Sequence, residues 1–259
     1  MSRKRQEQIR GGRTDVRRQI TTLTRDYRAG HIIPLHVHER DQLVYASRGV
    51  MTVRTRNGTW VVPPNRAVWI PANVEHTIAM SGLVAMRTLY VKARLAGSLP
   101  RECRVIHVSP LLRELVLHAC ACGSLARKKK AEGNLIAVIL DQLKTVQMVP
   151  LQLLHVADAR SLRVARVLMG NPGDCRTLAE ICKRSGASKR TVERLFVQET
   201  GLTFGKWRQQ LRLMQAMRLL ANGAKITHAA LEAGYSTPSA FIAMFRKALG
   251  TTPGAYFRG

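Results

Sequence analysis

Residues 177 to 253 hold two segments of the same grammar in tandem, and each dictates two short helices joined by a tight break. The first, TLAEICKRSGASKRTVERLFVQETG, reads as an apolar-periodic helix from Thr177, a break at Ser185-Gly186-Ala187 and a new helix begun by Ser188. The second, ITHAALEAGYSTPSAFIAMFRKALG, reads as a helix from Ile226, a break at Gly234-Tyr235 and a helix begun by Ser236-Thr237-Pro238. A helix-turn-helix needs a small residue in its turn, apolar residues clamping the two helices and polar residues on the leading edge of the second. Both segments supply all three.

Charge narrows the partner. Lys and Arg total 42 against 16 Asp and Glu, a formal net charge of +26 that exceeds anything solubility requires and calls for a polyanion. Double-stranded DNA is the partner that helix-turn-helix units select. A membrane surface is also polyanionic, but no stretch approaches about 18 uninterrupted apolar residues. The start MSRKRQEQIRGGRTDVRRQ lacks the apolar core of a signal peptide, so a cytoplasmic location is expected. The odd set Cys103, Cys120, Cys122, Cys175 and Cys182 has no paired zinc-type spacing and fits reduced thiols.

The rest of the chain divides by pattern. Residues 1–27 read as a basic N-terminal extension. Within 28–100, short β-rich runs (LVYAS, VMTVRT, WVV, AVWIP, RTLYVKA) alternate with Pro, Asn and Gly, as expected of an all-β sandwich or barrel. Within 101–159 the period changes: LLRELVLHAC and NLIAVILDQLKTVQM read as two helices around an exposed turn at Arg127-Lys128-Lys129-Lys130, followed by a linker at 150–159. Their aliphatic surface motivates a homodimer, with Leu140 and Leu143 as residues to probe it. Residues 160–259 are helical and basic.

Within the tandem units the helical period sorts side chains. In the first second-position helix Val192, Leu195 and Phe196 face inward, leaving Lys189, Arg190, Thr191 and Arg194 outward with Ser188 as N-cap. In the other, Ala240, Phe241, Met244 and Phe245 form the expected buried stripe. Ser236, Thr237, Ser239, Ile242, Ala243 and Arg246 remain for DNA, with Pro238 in the first turn, where its missing N–H costs nothing. The lower charge of this helix points to readout by shape, hydroxyls and contact with thymine methyls. Trp207, Leu211, Leu213, Met217 and Leu220 read as packing on a connecting helix.

This region resembles the DNA-binding domain of AraC/XylS transcription regulators. The resemblance is carried by Leu178-Ala179-Glu180, the span 188–196, Thr200-Gly201, Phe204, the helix around Trp207 to Leu220, Gly234-Tyr235, Phe241, Phe245-Arg246 and Gly250-Thr251-Thr252-Pro253. Ala229-Ala230-Leu231 departs mildly from the family's usual Ile-Ala or Val-Ala step. The β-rich stretch in turn resembles a cupin. Gly30, His36, His38, Gln42 and Gly49 match the spacing Gx5HxHx3Ex6G with Gln at the acidic position, and PANVEH matches PxGxxH with Asn73 in place of Gly. The cupin resemblance implies a barrel in which His36 and His38 project from one strand face and His76 converges from another.

Together the resemblances imply an α+β protein: an N-terminal cupin-like β-barrel that senses an effector, a helical pair, and a C-terminal all-α domain with two helix-turn-helix units. They imply a regulator, not an enzyme, that binds double-stranded DNA as a homodimer, contacts RNA polymerase and controls a nearby transporter gene. His36, His38, Gln42 and His76 would line an effector pocket or hold a divalent Zn, Fe, Mn or Ni ion, with Gln42 weakening the site by removing an anionic ligand. His118, Cys120 and Cys122 read as ordinary helix residues, and Tyr45, Trp69 and Met86 as barrel packing. Two alternatives stay open at this point: a metal-dependent cupin enzyme with an attached DNA-binding domain, and a non-specific nucleic-acid architectural protein, which charge alone would satisfy.

Overall fold

The computed structural model describes residues 18–95, 97, 99–145 and 152–258. The chain separates into two compact units, the first ending at Gln152 and the second starting at Leu153, with the short segment Asn57–Thr59 grouping with the second. Most of the expected N-terminal extension, 1–17, and the first two residues of the expected linker lie outside the described residues.

The first unit is built on strands β1 (Ile20–Tyr27), β2 (Ile32–His36), β3 (Asp41–Arg54), most of β4 (Gly58–Val62), β5 (Arg66–Ile70), β6 (His76–Val91), β7 (Arg104–His107) and β8 (Ser124–Leu125). Strand β1 occupies residues that the sequence places in the basic extension. Its run ITTLTRDY is rich in β-branched residues and pairs along β6 from Ile20 opposite Val91 to Tyr27 opposite Val84. The runs LVYAS and VMTVRT merge into the single long strand β3, which bends through register shifts between Ala46 and Val50. Gly49 makes that bend possible: its φ is +79°, and a Cβ there would lie 2.4 Å from the Leu83 carbonyl oxygen.

The expected closed barrel is not formed. Strand order runs β7-β5-β3-β6-β1-β8, with β2 added to β6 and β4 to β3, and among the described residues no pairing joins β7 to β8. The sheet is open because helices cover it. Helix α1 (Pro110–Cys122) packs on β1, β6 and β8, and α2 (Lys130–Thr145) packs on α1 and β8. Leu112, Val116, Ile136, Ile139, Leu140 and Leu143 complete one core with Ile20, Leu43, Tyr45, Trp69, Leu89 and Val91. An apolar sheet face buried under helices gains nothing further from closing on itself.

Tyr45, Trp69 and Met86 are fully buried, and the Trp69 indole N–H donates to the Pro100 carbonyl at 3.0 Å. Leu140 and Leu143, 6% and 4% exposed, belong to this core, whereas Leu111 and Val138 on the same helices are 53% and 43% exposed. Ser109 caps α1 by accepting from the Leu112 N–H at 3.1 Å.

From Leu153 the second unit takes in most of β9 (Gln152–Leu154) and then carries helices α3 (Ala159–Gly170), α4 (Leu178–Ser185), α5 (Lys189–Thr200), α6 (Phe204–Ala221), α7 (Ile226–Glu232), α8 (Pro238–Leu249) and α9 (Pro253–Arg258). Residues 152–158, expected as linker, are tied down. The Glu199 carboxylate accepts from the Asp158 N–H at 2.8 Å, the Ala157 N–H at 3.3 Å and the Ser161 hydroxyl at 2.9 Å. Trp207, on the long helix α6, donates to the Leu154 carbonyl at 3.0 Å and stacks edge-on against Phe196. No described helix is long and apolar enough to cross a membrane.

Candidate DNA interface and histidine cluster

Local chemistry fixes both helix pairs. Thr177 and Glu180 form a reciprocal capping box at the start of α4: the Thr177 hydroxyl accepts from the Glu180 N–H at 3.3 Å, and the Glu180 carboxylate accepts from the Thr177 N–H at 2.6 Å. Gly186 then turns the chain with φ +62°, in the left-handed region that favours glycine. Ser188 caps α5, its hydroxyl accepting from the Thr191 N–H at 3.1 Å. In the second pair Gly234 takes φ +78° and Thr237 caps α8 by accepting from the Ala240 N–H at 3.2 Å, with Pro238 at the first helical position.

Helices α5 and α8 each bury one stripe and expose the other. On α5, Val192, Leu195 and Phe196 are buried, Ser188, Lys189, Arg190 and Arg194 are exposed, and Thr191 is half-buried. The Arg194 guanidinium donates to Gln198 at 3.2 Å and Lys189 lies 3.8 Å from Glu193, so both cations are held on the outer face. On α8 the buried stripe is Phe241, Phe245 and Leu249, one residue per turn. Ala240 and Met244, expected in that stripe, are exposed and half-buried respectively. The helix rests on a single line of contacts, so residues one position off that line stay open. Ser236, Thr237, Ser239, Ala243 and Arg246 are exposed and Ile242 is half-buried. Ser239, Ile242, Ala243 and Arg246 line an open concavity together with Lys247 and Thr252. Sequence periodicity left these last two unassigned, although Lys247 beside Arg246 in the last turn was a usable signal.

Helix α6 links the pairs, packing against α5 on one side and α7 on the other. Arg208 and Arg212 reach from it to the loop ahead of α4: Arg208 donates to the carbonyls of Arg176, at 2.7 Å, and Asp174, and Arg212 donates to the Asp174 carbonyl at 2.9 Å. That loop meets the turn of the second pair backbone to backbone. A Cβ on Gly173 would lie 2.6 Å from the Glu232 carbonyl oxygen, and one on Gly234 would lie 2.8 Å from that of Gly173.

The first unit carries the second constellation. His36 ends β2 and stands opposite His76, which begins β6, while His38 lies beyond the strand in the connection to β3. The expected alternation of His36 and His38 along one strand is therefore not what unites them; the end of β2 and the following turn are. The three rings still converge, with centroids 4.2 Å apart for His36 and His76, 4.8 Å for His36 and His38 and 5.4 Å for His38 and His76. One nitrogen from each ring falls within 4.8 Å of the others. Asn73 supports the arrangement: at φ +65° it adopts the left-handed backbone that favours glycine, the residue at this place in the motif it resembles, and its N–H donates to the His38 carbonyl at 2.8 Å.

Electrostatics keep these rings neutral. Burial is the main cause for all three: it lowers the pKa of His38 to about 3, helped by His36 and His76, and that of His76 to about 4, helped by His36 and opposed by the Val74 carbonyl. His36 is lowered less, against the pull of the Pro34 carbonyl. The Nδ1–H groups of His36 and His76 donate to the carbonyls of Pro34 and Val74 at 2.7 and 2.9 Å, which leaves each Nε2 with a free lone pair. Gln42 is buried and pairs across the sheet with Tyr90, whose ring lies 4.8 Å from that of His38.

Two helix-turn-helix pairs, the first with a basic leading edge and the second with a hydroxyl-rich one, joined to a sheet unit of separate construction, define a DNA-binding transcription regulator. The chain matches the family model "AraC-like ligand binding domain" over residues 20–135 and the model "Helix-turn-helix domain" over residues 181–259. It is 34% identical over 223 residues to the HTH-type transcriptional regulator NimR of Escherichia coli, covering 86% of this chain and 81% of that one. It is also 26% identical over 217 residues to the HTH-type transcriptional regulator RipA of Corynebacterium glutamicum, covering 84% of this chain and 62% of that longer protein. Among solved structures, an AraC-type DNA-binding domain protein from Chromobacterium violaceum aligns with 26% identity over 38% of this chain and 89% of its own, at a TM-score of 0.36. The chain belongs to the AraC/XylS family of transcription regulators and is closely related to NimR-like members. These are regulators rather than catalysts, which removes the metal-dependent enzyme from consideration.

Proposed function

We propose that this regulator reads a specific operator with α5 and α8 in successive major-groove segments on one face of the duplex, about one helical turn or roughly 34 Å apart. The observation that carries the reading is the pair of exposed leading edges, Ser188, Lys189, Arg190, Thr191 and Arg194 on one helix and Ser236, Thr237, Ser239, Ile242, Ala243 and Arg246 on the other, each backed by a buried stripe in a chain of net charge +26. Cationic α5 supplies arginine contacts to base or phosphate, and α8 supplies hydroxyls and the apolar Ile242 and Ala243. The sheet unit receives a small-molecule effector at or near the histidine cluster, and its occupancy alters promoter affinity or contact with RNA polymerase at a nearby transporter gene. Dimerisation would use the exposed Leu111 and Val138, since Leu140 and Leu143 are occupied in the protomer's own core.

The test is genome-wide footprinting with the full chain, followed by titration of the recovered operator with Arg190→Ala and Arg194→Ala. A base contact should cost about 1–3 kcal/mol and relax preference at one position, while a phosphate contact should weaken all sequences evenly and flatten the salt dependence. Wild-type affinity in both variants would refute the assignment of α5, and a footprint without sequence preference would refute specific reading altogether.

A further inference from the structure

We propose that Arg18 and the run Arg127-Lys128-Lys129-Lys130 form one cationic surface of the sheet unit that binds the phosphate backbone of duplex DNA. The chain then has a second hold on nucleic acid besides its helix-turn-helix pairs. The inference rests on DNA binding by this chain but not on which side chains of α5 and α8 read bases. The sequence keeps these cations far apart, and the sheet brings them together. Strand β1 pairs with the two-residue strand β8, Ile20 opposite Leu125 and Thr21 opposite Ser124. Gln19 extends that ladder. Its N–H donates to the Leu125 carbonyl at 3.0 Å and its side-chain Oε1 accepts from the Arg127 N–H at 2.9 Å, joining positions 108 residues apart.

Charge at this place is one-sided. Arg127, Lys128, Lys129 and Lys130 are exposed, and Arg18 is half-buried. Arg40 stands behind them, its guanidinium donating to the Arg18 carbonyl at 3.0 Å and to the Gln19 carbonyl at 3.4 Å. Glu132 is the carboxylate that meets these cations, and it is already engaged. It accepts from the Ala126 N–H at 2.7 Å and lies 3.0 Å from Lys129 and 3.9 Å from Arg18. One carboxylate leaves such a group strongly positive, and like charges crowded on one surface repel until a polyanion meets them. The sequence immediately ahead of Arg18 adds Arg3, Lys4, Arg5, Arg10, Arg13 and Arg17 against Glu7 and Asp15.

The chemistry selects the partner. Guanidinium and ammonium groups in a row match a regular array of phosphates, which duplex DNA presents about every 1.7 Å along its axis. A bilayer surface would also draw the charge, but binding there is strengthened by large apolar side chains that enter the acyl boundary. The run ARKKKAEGN, residues 126–134, has none. Contacts to phosphate add affinity and salt dependence without sequence preference, which leaves selection of the operator to the second unit. Two DNA contacts on one covalent chain reinforce each other, because the first raises the local concentration of duplex at the second.

The experiment measures binding of the full chain to a labelled random-sequence duplex of about 40 base pairs by fluorescence anisotropy, from about 50 to about 200 mM salt. Lys128→Gln/Lys130→Gln removes two cations and spares the Lys129–Glu132 pair. Each phosphate contact contributes a slope of about 0.9 in log affinity against log salt, so the wild type should lose about tenfold more affinity than this variant over that range. Arg28→Gln/Arg54→Gln is the matched control. Both arginines are exposed, Arg28 just past the end of β1 remote from Gln19 and Arg54 at the end of β3 remote from Asp41, so this variant should keep the wild-type slope. Equal slopes in wild type and the lysine variant overturn the proposal. So does an equal change in the lysine variant and the control, which would make the effect one of total charge. Phosphatidylserine vesicles are the second probe: uptake that falls in the lysine variant while duplex binding holds assigns the surface to lipid and overturns the proposal. A wild type that binds no duplex overturns it together with DNA binding by the chain, whereas equal slopes leave that reading standing.

Discussion

Gly234→Ala tests whether the two helix-turn-helix pairs are locked together through the backbone contact between the loop ahead of α4 and the turn before α8. Gly234 has φ +78°, where a non-glycine residue carries about 1–2 kcal/mol of strain. The new methyl would stand 2.8 Å from the Gly173 carbonyl oxygen and 2.7 Å from Arg212 Nη2. The arginine can move, at the expense of its 2.9 Å bond to the Asp174 carbonyl, but the Gly173 backbone cannot yield without displacing the loop. Such overpacking adds about 1–3 kcal/mol. The loss of conformational freedom in the unfolded chain returns about 0.4–1 kcal/mol. The net expectation is a destabilisation of about 2–4 kcal/mol, on the order of 10–20 °C in the melting of a unit of roughly 100 residues. Gly201→Ala is the control: its φ is +69°, but nothing lies within 4 Å of the added Cβ, so only the strain of about 1 kcal/mol applies. Calorimetry of the full chain, with hydrogen exchange over residues 226–249 assigning the affected transition, separates the two. Equal melting shifts for Gly234→Ala and Gly201→Ala would refute the claim that a backbone contact joins the pairs.

Two further substitutions probe the sheet unit. Gly49→Ala should destabilise it by about 2–5 kcal/mol, from left-handed strain together with a methyl 2.4 Å from the Leu83 carbonyl oxygen, whereas Gly30→Ala, at φ +76° with nothing within 4 Å, should lose only about 1–2 kcal/mol; denaturant titration that ranks them the other way would show that the β3 bend does not depend on the close approach. Asn73→Gly should leave the denaturation midpoint within about 0.5 kcal/mol of wild type, and Asn73→Val should lower it by about 1–2 kcal/mol because a β-branched residue resists φ +65°. Indistinguishable midpoints for the two would mean that the turn holding His38 relaxes freely.

What the sequence determined was local. Thr177 three residues ahead of Glu180, Ser188, Thr237 ahead of Pro238, and glycines 186, 201, 234 and 250 mark helix ends through interactions that span four residues or fewer, so boundaries and outward faces in the second unit were legible in advance. The stripe on α8 was less so: Ala240 and Met244 share the helical period of the core, and only the position of neighbouring helices decided that Phe241, Phe245 and Leu249 alone are buried. The cupin-like spacing located His36, His38 and His76, but their convergence depends on β2 pairing with β6 and on a left-handed Asn73, which a linear pattern does not state. Closure of the sheet was beyond sequence reasoning for the same cause. Alternating apolar residues require a covered face; whether the cover is the opposite wall of a barrel or a pair of helices is a matter of long-range burial, and here α1 and α2 supplied it.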